Sequence, residues 1–339
     1  VHLVERAPKV SPEELVSGLV PPPRFAHVRF DTYVPAPGEP TQAGALVALR
    51  VFAEDVDAGA RATGKRKLFR GKQAAARGGA AGIYLDGGFG VGKTHLLASL
   101  WHAVEGPKAY GTFVEFTSLV GALGFEGTVA RLSSLRLLCI DEFELDDPGD
   151  TMLVSTLLSR LVDVGVRLAA TSNTQPEDLG AGRFAAEDFL REIQGLAAHF
   201  RIVTVDGPDF RQRGLPPAPA PFDDGEVSAR GSLDGASEDE FTALSAHLAE
   251  LHPSRYGALV AGVSTVCLHG VTPVPNQATA LRLVVLIDRL YDGDVALVAS
   301  GVPANEVFPA DLLVGSHRKK YLRCISRWSA LARQGVVLP

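Results

Sequence analysis

Residues Gly82–Leu96 read GIYLDGGFGVGKTHL. Gly82–Asp86 is a short apolar run of strand character, and from Lys93 onward apolar residues recur at helical spacing. Between them lies Gly87–Thr94, GGFGVGKT, which satisfies G-x-x-x-x-G-K-[ST] at Gly87, Gly92, Lys93 and Thr94. A glycine-rich loop between a strand and a helix is built to hold phosphate. Glycines let backbone N–H groups turn inward and approach phosphate oxygens with no Cβ in the way. The helix N-terminus adds the positive end of a dipole. The ammonium of Lys93 suits β- and γ-phosphates, and the Thr94 hydroxyl suits one position on Mg²⁺. The candidate nucleotide contacts are therefore Gly87, Gly88, Phe89, Gly90, Val91, Gly92, Lys93, Thr94 and the adjoining His95. The His95 and His102 side chains lack metal-ligand companions at suitable spacing and read as surface or packing groups.

Working outward, the chain alternates strand and helix. Strands are expected at Gly82–Asp86, Thr112–Thr117, Leu135–Phe143, Val166–Asn173 and Arg201–Asp206. Helices are expected from Lys93 to about Val104, over Asp150–Gly165 and over Phe184–Phe200. Continuous apolar runs such as LRLLCIDEF (Leu135–Phe143) are what strands buried on both faces require. Five strands alternating with helices imply an α/β fold, a mostly parallel five-stranded sheet with helices on both faces.

Ligands of such sheets bind outside the carboxyl ends of the strands. Asp141 ends one buried strand, where its carboxylate can hold Mg²⁺. Glu142, next along, can polarise the attacking water. Asn173 ends another strand and can orient that water against the γ-phosphate. The Asp-Glu pair favours a hydrolase over a kinase or a switch GTPase.

The 339 residues carry a net charge of −6, with 46% hydrophobic and 21% charged side chains. This is ordinary globular composition, and the balance excludes the overall basic footprint of a nucleic-acid binder. The three cysteines, Cys139, Cys267 and Cys324, are far apart in apolar segments, so buried reduced thiols are expected. The N-terminal stretch lacks the apolar core of a secretory signal and the pattern of a transit peptide, so a cytoplasmic location is expected. The uncharged stretch Ala258–Leu281 is broken by glycines and prolines and reads as a buried strand plus loop, not a membrane span.

Four regions are expected: an N-terminal extension (1–80), the phosphate-loop core (81–212), a Pro/Gly-rich linker (213–237) and a smaller C-terminal α/β unit (238–339). The extension holds seven Lys/Arg and no acid from Arg61 to Arg77, read as a solvated face. The last unit has helix, strand, helix, strand and a closing helix.

The order of phosphate loop, Asp-Glu, Asn and a small C-terminal unit resembles the AAA+ ATPases, in which that unit serves as a lid. PPPRFAHVRFDTY (Pro21–Tyr33), IDEFELDDPGDTM (Ile140–Met152), LAATSNTQPEDL (Leu168–Leu179) and NQATALRLVVLIDRLYD (Asn276–Asp292) narrow the resemblance to the ZapE family, related to mitochondrial AFG-like ATPases. Asp147, Asp150 and Met152 stand at family spacing. The resemblance implies a cytoplasmic, Mg²⁺- and ATP-dependent enzyme that binds no nucleic acid stably, forms a homo-oligomer and acts on a protein partner, either the filament protein FtsZ near the division ring or membrane-associated proteins, with room for peripheral membrane association.

The resemblance also implies an arginine that completes a neighbouring subunit's site. Aligned on Phe189 and Leu190, this chain has Ala186 there. Arg183, three residues earlier, is the first substitute and Arg191 the second. A finger of this kind contributes about 10³–10⁵ in rate. Its loss would leave a nucleotide-gated adaptor that hydrolyses little, the first alternative. A DNA-acting protein of the helicase-loader type, supported by Arg61–Arg77, is the second. Arg282 stands where the family has a lid arginine.

Overall fold

The computed structural model describes residues 1–63, 80–143, 148–175, 194–195, 197–208, 219–315 and 317–337. They form two compact units. One comprises Pro12–Pro21 and Phe25–Phe210, the other Val1–Ser11, Pro22–Arg24 and Arg211–Pro339. The stretch 1–80, read as one extension, is thus divided between the two.

The first unit is built on five parallel strands: β1 (Gly82–Asp86), β2 (Lys108–Thr112), β3 (Leu137–Asp141), β4 (Arg167–Ser172) and β5 (Phe200–Thr204). Their order is β2-β3-β4-β1-β5. Alternation along each strand feeds two cores. Ile83, Leu85, Leu137, Cys139 and Ala169 point to one face. Tyr84, Leu138, Ile140, Leu168 and Ala170 point to the other. This two-faced burial is why the strands read as unbroken apolar runs.

On the first face lie α2 (Pro40–Thr63), through Leu49, Phe52 and Val56, and α3 (Lys93–Ala103), through Leu96, Leu97 and Leu100. On the second lie α4 (Phe113–Leu123), α5 (Phe125–Leu132) and α6 (Pro148–Asp163), through Phe113, Phe116, Leu119, Val129, Leu157 and Leu161. The short α1 (Pro12–Ser17) precedes Leu19, whose carbonyl accepts the Tyr110 N–H at 2.9 Å.

One strand is displaced from expectation. Thr112–Thr117 was to be a strand, yet β2 occupies Lys108–Thr112 and the following residues open α4. The reason is local. Thr112 caps the helix: its hydroxyl accepts the Glu115 N–H at 3.4 Å, and the Glu115 carboxylate accepts the Thr112 N–H at 2.6 Å. The aromatic, β-branched character of TFVEFT favours a strand locally, but the capping box starts a helix there.

The second unit holds a three-stranded parallel sheet, β6 (Ala236–Glu240), β7 (Thr265–Val271) and β8 (Ala296–Gly301), in that order. Its main core gathers α8 (Phe241–Glu250), α9 (Tyr256–Leu259), α10 (Gln277–Asp292) and α11 (Arg318–Val336) around Val266, Leu268 and Leu297. Behind the sheet, α7 (Asp224–Gly231) packs Val227 on Cys267 and Val298. Within 213–237, expected as linker, α7 and the start of β6 are therefore ordered structure. Asp223 and Glu226 form a reciprocal capping box that starts the helix despite its poor apolar content. Residues 213–218 of that stretch lie outside the described residues. The N-terminal segment joins this unit: Leu3 and Val4 donate their N–H groups to Asp239 at 2.9 and 3.2 Å, and Arg6 donates to the carbonyls of Leu259 and Ala261 at 2.8 and 2.9 Å.

All three cysteines are buried and free. Among the described residues no single helix is long and apolar enough to cross a membrane. The helices α4 and α5 pass by composition as a pair, but they bend by 116° and their large apolar residues fill the core.

Candidate functional site

The glycine loop leaves β1 at Gly87 and enters α3 at Lys93. At Gly87 the chain presses on the residue that follows β5: a Cβ there would lie 2.1 Å from the Val205 carbonyl oxygen. Gly92 is the N-cap of α3 in the left-handed region, φ 93°, and a Cβ would meet the Tyr33 ring at 2.5 Å. Both positions need glycine for space, and Gly92 also for conformation. Tyr33 donates to the Val91 carbonyl at 2.8 Å, so residues well before the strand brace the loop from outside. His95 stacks edge-on against Tyr33 and lies 3.0 Å from the Thr32 hydroxyl. Burial pulls its pKa below the ordinary imidazole value, which keeps it neutral near pH 7. Its ring packs against Tyr33, the residue that braces the loop.

Lys93, Asp141 and Asn173, from three separate stretches of sequence, meet at one end of the sheet. The Lys93 ammonium donates to the carbonyls of Gly87 and Gly88 at 2.7 and 2.5 Å and to Asn173 Oδ1 at 2.8 Å. The Thr94 hydroxyl lies 3.3 Å from Asp141 Oδ1. Sheet order explains the meeting. β1 lies beside β4, and β4 beside β3, all parallel, so their carboxyl ends are side by side.

Asp141 is buried, and its carboxylate is surrounded by donors. Tyr110 donates to Oδ2 at 2.8 Å, Thr171 donates to Oδ1, and the Glu142 N–H reaches Oδ1 at 3.2 Å. Burial first, and the nearby charge of Asp141 second, push the Cys139 thiol well above its usual range, so it is inert. Glu142 has φ 55°, uncommon for a residue with a side chain. That turn swings it off the strand line, held by its N–H bonds to Asp141 Oδ1 and, at 3.0 Å, to the Thr171 hydroxyl. Sequence reading named neither Tyr110 nor Thr171. Thr171 could have been found from strand period, standing two residues before Asn173. Tyr110 was hidden by the displaced strand.

Thr94 and Asp141 offer two hard oxygens facing each other. That fits Mg²⁺, which takes one or two protein oxygens and completes its shell with water and phosphate. A cage of three or more His, Cys, Asp or Glu is absent among the described residues, as such a site does not need one. Arg183, its alternative Arg191, Ala186 and Asp147 lie outside the described residues, as do residues 64–77 of the basic stretch. Arg282 lies on α10 of the other unit.

A family model described as AFG1-like ATPase matches residues 9–230 and 223–338. The chain belongs to the AFG1-like ATPase family. It is accordingly a P-loop nucleoside triphosphatase that uses ATP. The cell division protein ZapE of Escherichia coli K12 is 27% identical over 292 residues, covering 73% of this chain and 76% of that protein. Lactation elevated protein 1 homolog B of Danio rerio is 40% identical over 83 residues, covering 24% of this chain and 16% of that protein. Among solved structures, domain III of the Thermotoga maritima replication initiation protein DnaA overlaps at TM-score 0.39 and 20% identity, covering 56% of this chain and 70% of that one.

Proposed function

We propose that this chain is a Mg²⁺-dependent ATPase of the ZapE type that couples hydrolysis to remodelling of a protein partner. The observation that carries the reading is the meeting of Lys93 with Asn173 and of Thr94 with Asp141. Lys93 leaves the loop carbonyls for the β- and γ-phosphates, a stronger, charge-assisted partner. Asn173, bonded to Lys93 until then, turns to the γ-phosphate. Thr94 and Asp141 would hold the metal, which would supply positive charge against the phosphates. Glu142 takes a proton from the attacking water. Buried Val91 and Leu96 exclude bulk water from the base of the loop.

The partner favoured by likeness to a cell division protein is FtsZ, met in the cytoplasm by an oligomer of this chain. Oligomer formation matters because an arginine of one subunit, Arg183 first, would complete the site of the next. The test is steady-state phosphate release over a range of protein concentrations, with Glu142→Gln alongside. A specific rate that rises with concentration, and is lost in Glu142→Gln while ATP stays bound, supports the reading. Normal turnover in Glu142→Gln removes that residue from the mechanism. A rate near zero at every concentration favours the nucleotide-gated adaptor, which Ala186 at the family's arginine position motivates.

A further inference from the structure

Asp141 is held from both sides by strands that carry no residue of the phosphate loop. Tyr110 comes from β2 and Thr171 from β4, and the two flank β3 in the sheet. Both are 2% exposed. Each hydroxyl has one proton, and each spends it on this carboxylate: Tyr110 on Oδ2 at 2.8 Å, Thr171 on Oδ1. With a donor fixed on either oxygen, rotation of the carboxylate breaks both bonds. The oxygen bound by Thr171 is also the one that faces Thr94.

Thr171 does more than orient Asp141. Its hydroxyl oxygen accepts the Glu142 N–H at 3.0 Å, and its carbonyl accepts the Phe143 N–H at 2.7 Å. It thereby ties three consecutive residues of the Asp-Glu-Phe turn to β4, the strand that ends just before Asn173. The left-handed Glu142 conformation is unfavourable for a residue with a side chain and persists only where surrounding bonds enforce it.

We infer that Tyr110 and Thr171 are positioning residues for the metal site: they lock the Asp141 carboxylate toward Thr94, and Thr171 holds Glu142 in its turned position. Both act through Asp141, to which their hydroxyls donate. The inference rests on the proposed reading of Asp141 as a metal ligand, and the experiment separates the two.

The full chain is made as Tyr110→Phe, Thr171→Val, Thr171→Ser and, as control, Asp141→Asn. Mn²⁺ affinity is measured by electron paramagnetic resonance in the presence of a non-hydrolysable ATP analogue. Nucleotide binding is measured separately in EDTA. Loss of an outer hydrogen bond to a metal ligand lowers metal affinity by about 10–100-fold, so Tyr110→Phe and Thr171→Val should each weaken Mn²⁺ by that order while nucleotide affinity in EDTA stays within about twofold. Thr171→Ser, which keeps the hydroxyl, should restore Mn²⁺ binding. If Asp141→Asn loses Mn²⁺ and Tyr110→Phe and Thr171→Val do not, the positioning inference is overturned and the metal reading stands. If Asp141→Asn binds Mn²⁺ as the parent does, the metal reading itself fails. Should Thr171→Val not fold, Tyr110→Phe, which removes one exchangeable hydrogen bond from a ring that stays packed, decides alone.

Discussion

Asp141 in the five-stranded unit and Asp288 in the three-stranded unit are both buried carboxylates, and they meet opposite partners. Asp141 is approached by the hydroxyls of Tyr110, Thr171 and Thr94. Asp288 sits between two guanidiniums, Arg323 at 3.0 Å and Arg327, themselves almost fully buried. Hydroxyls orient a carboxylate without discharging it, so its field remains for a cation. Two guanidiniums neutralise theirs. The first arrangement suits a site, and the second ties α10 to α11. Burial of charge alone does not mark function; the chemistry of the partners does.

The comparison is sharpened first by Asp288→Ala. Removing the shared carboxylate takes an ion-pair partner from two buried cations and should cost about 3–5 kcal/mol. Trp328 lies in this unit's core and Trp101 in the other, so fluorescence in a Trp101→Phe background reports the loss. A change within about 0.5 kcal/mol would show that the triad is not a tie.

Next is Lys93→Ala. Charged hydrogen bonds to phosphate are worth about 1.5–3 kcal/mol, so ATP affinity should fall by up to about 100-fold with little change in unfolding temperature. Fluorescent-nucleotide titration measures it, and unaltered affinity would deny the five-stranded unit its role.

A smaller effect is expected at Thr112→Ala, which removes the cap on α4. The five-stranded unit should lose about 1 kcal/mol, read from Trp101 in a Trp328→Phe background. No loss would mean that packing of Phe113 and Phe116 alone holds the helix start.

The smallest concerns pH. Burial lowers the pKa of His269, but its contacts with Glu238 at 2.8 Å and Asp224 at 3.3 Å outweigh that, and the net shift is upward. A raised pKa stabilises fully below the unfolded value of 6.5, and the contribution is lost as pH rises through the folded value. Asp224, bonded to Ser300 and His269, and Glu238, bonded to His269 and Ser228, are shifted downward. Their contribution is present above the usual carboxylate range and is lost as pH falls through the depressed values. The three-stranded unit should therefore be most stable in mildly acidic solution. His269→Gln should flatten the decline in unfolding temperature above pH 6.5. An unchanged slope would assign the pH dependence elsewhere.

The phosphate loop, Asp141, Glu142 and Asn173 were legible because each stands in a local signature: a glycine pattern, or a polar residue closing an apolar run. The strand Lys108–Thr112 was not, because KAYGT is barely apolar and the residues after it look more like a strand than it does. The helix Asp224–Gly231 was missed for a related reason. Its glycines and acids read as linker, while a single buried Val227 and a capping box suffice once a sheet lies beside it.

Sequence by itself determined the chemistry available, since the order of glycines, lysine, carboxylates and asparagine is written in contiguous stretches whose local physics is short-ranged. Tertiary structure alone decided which neighbours orient that chemistry. Tyr110 and Thr171 reach Asp141 only because β2, β3 and β4 lie side by side, and hydrogen bonds between strands depend on sheet order, which no local pattern encodes.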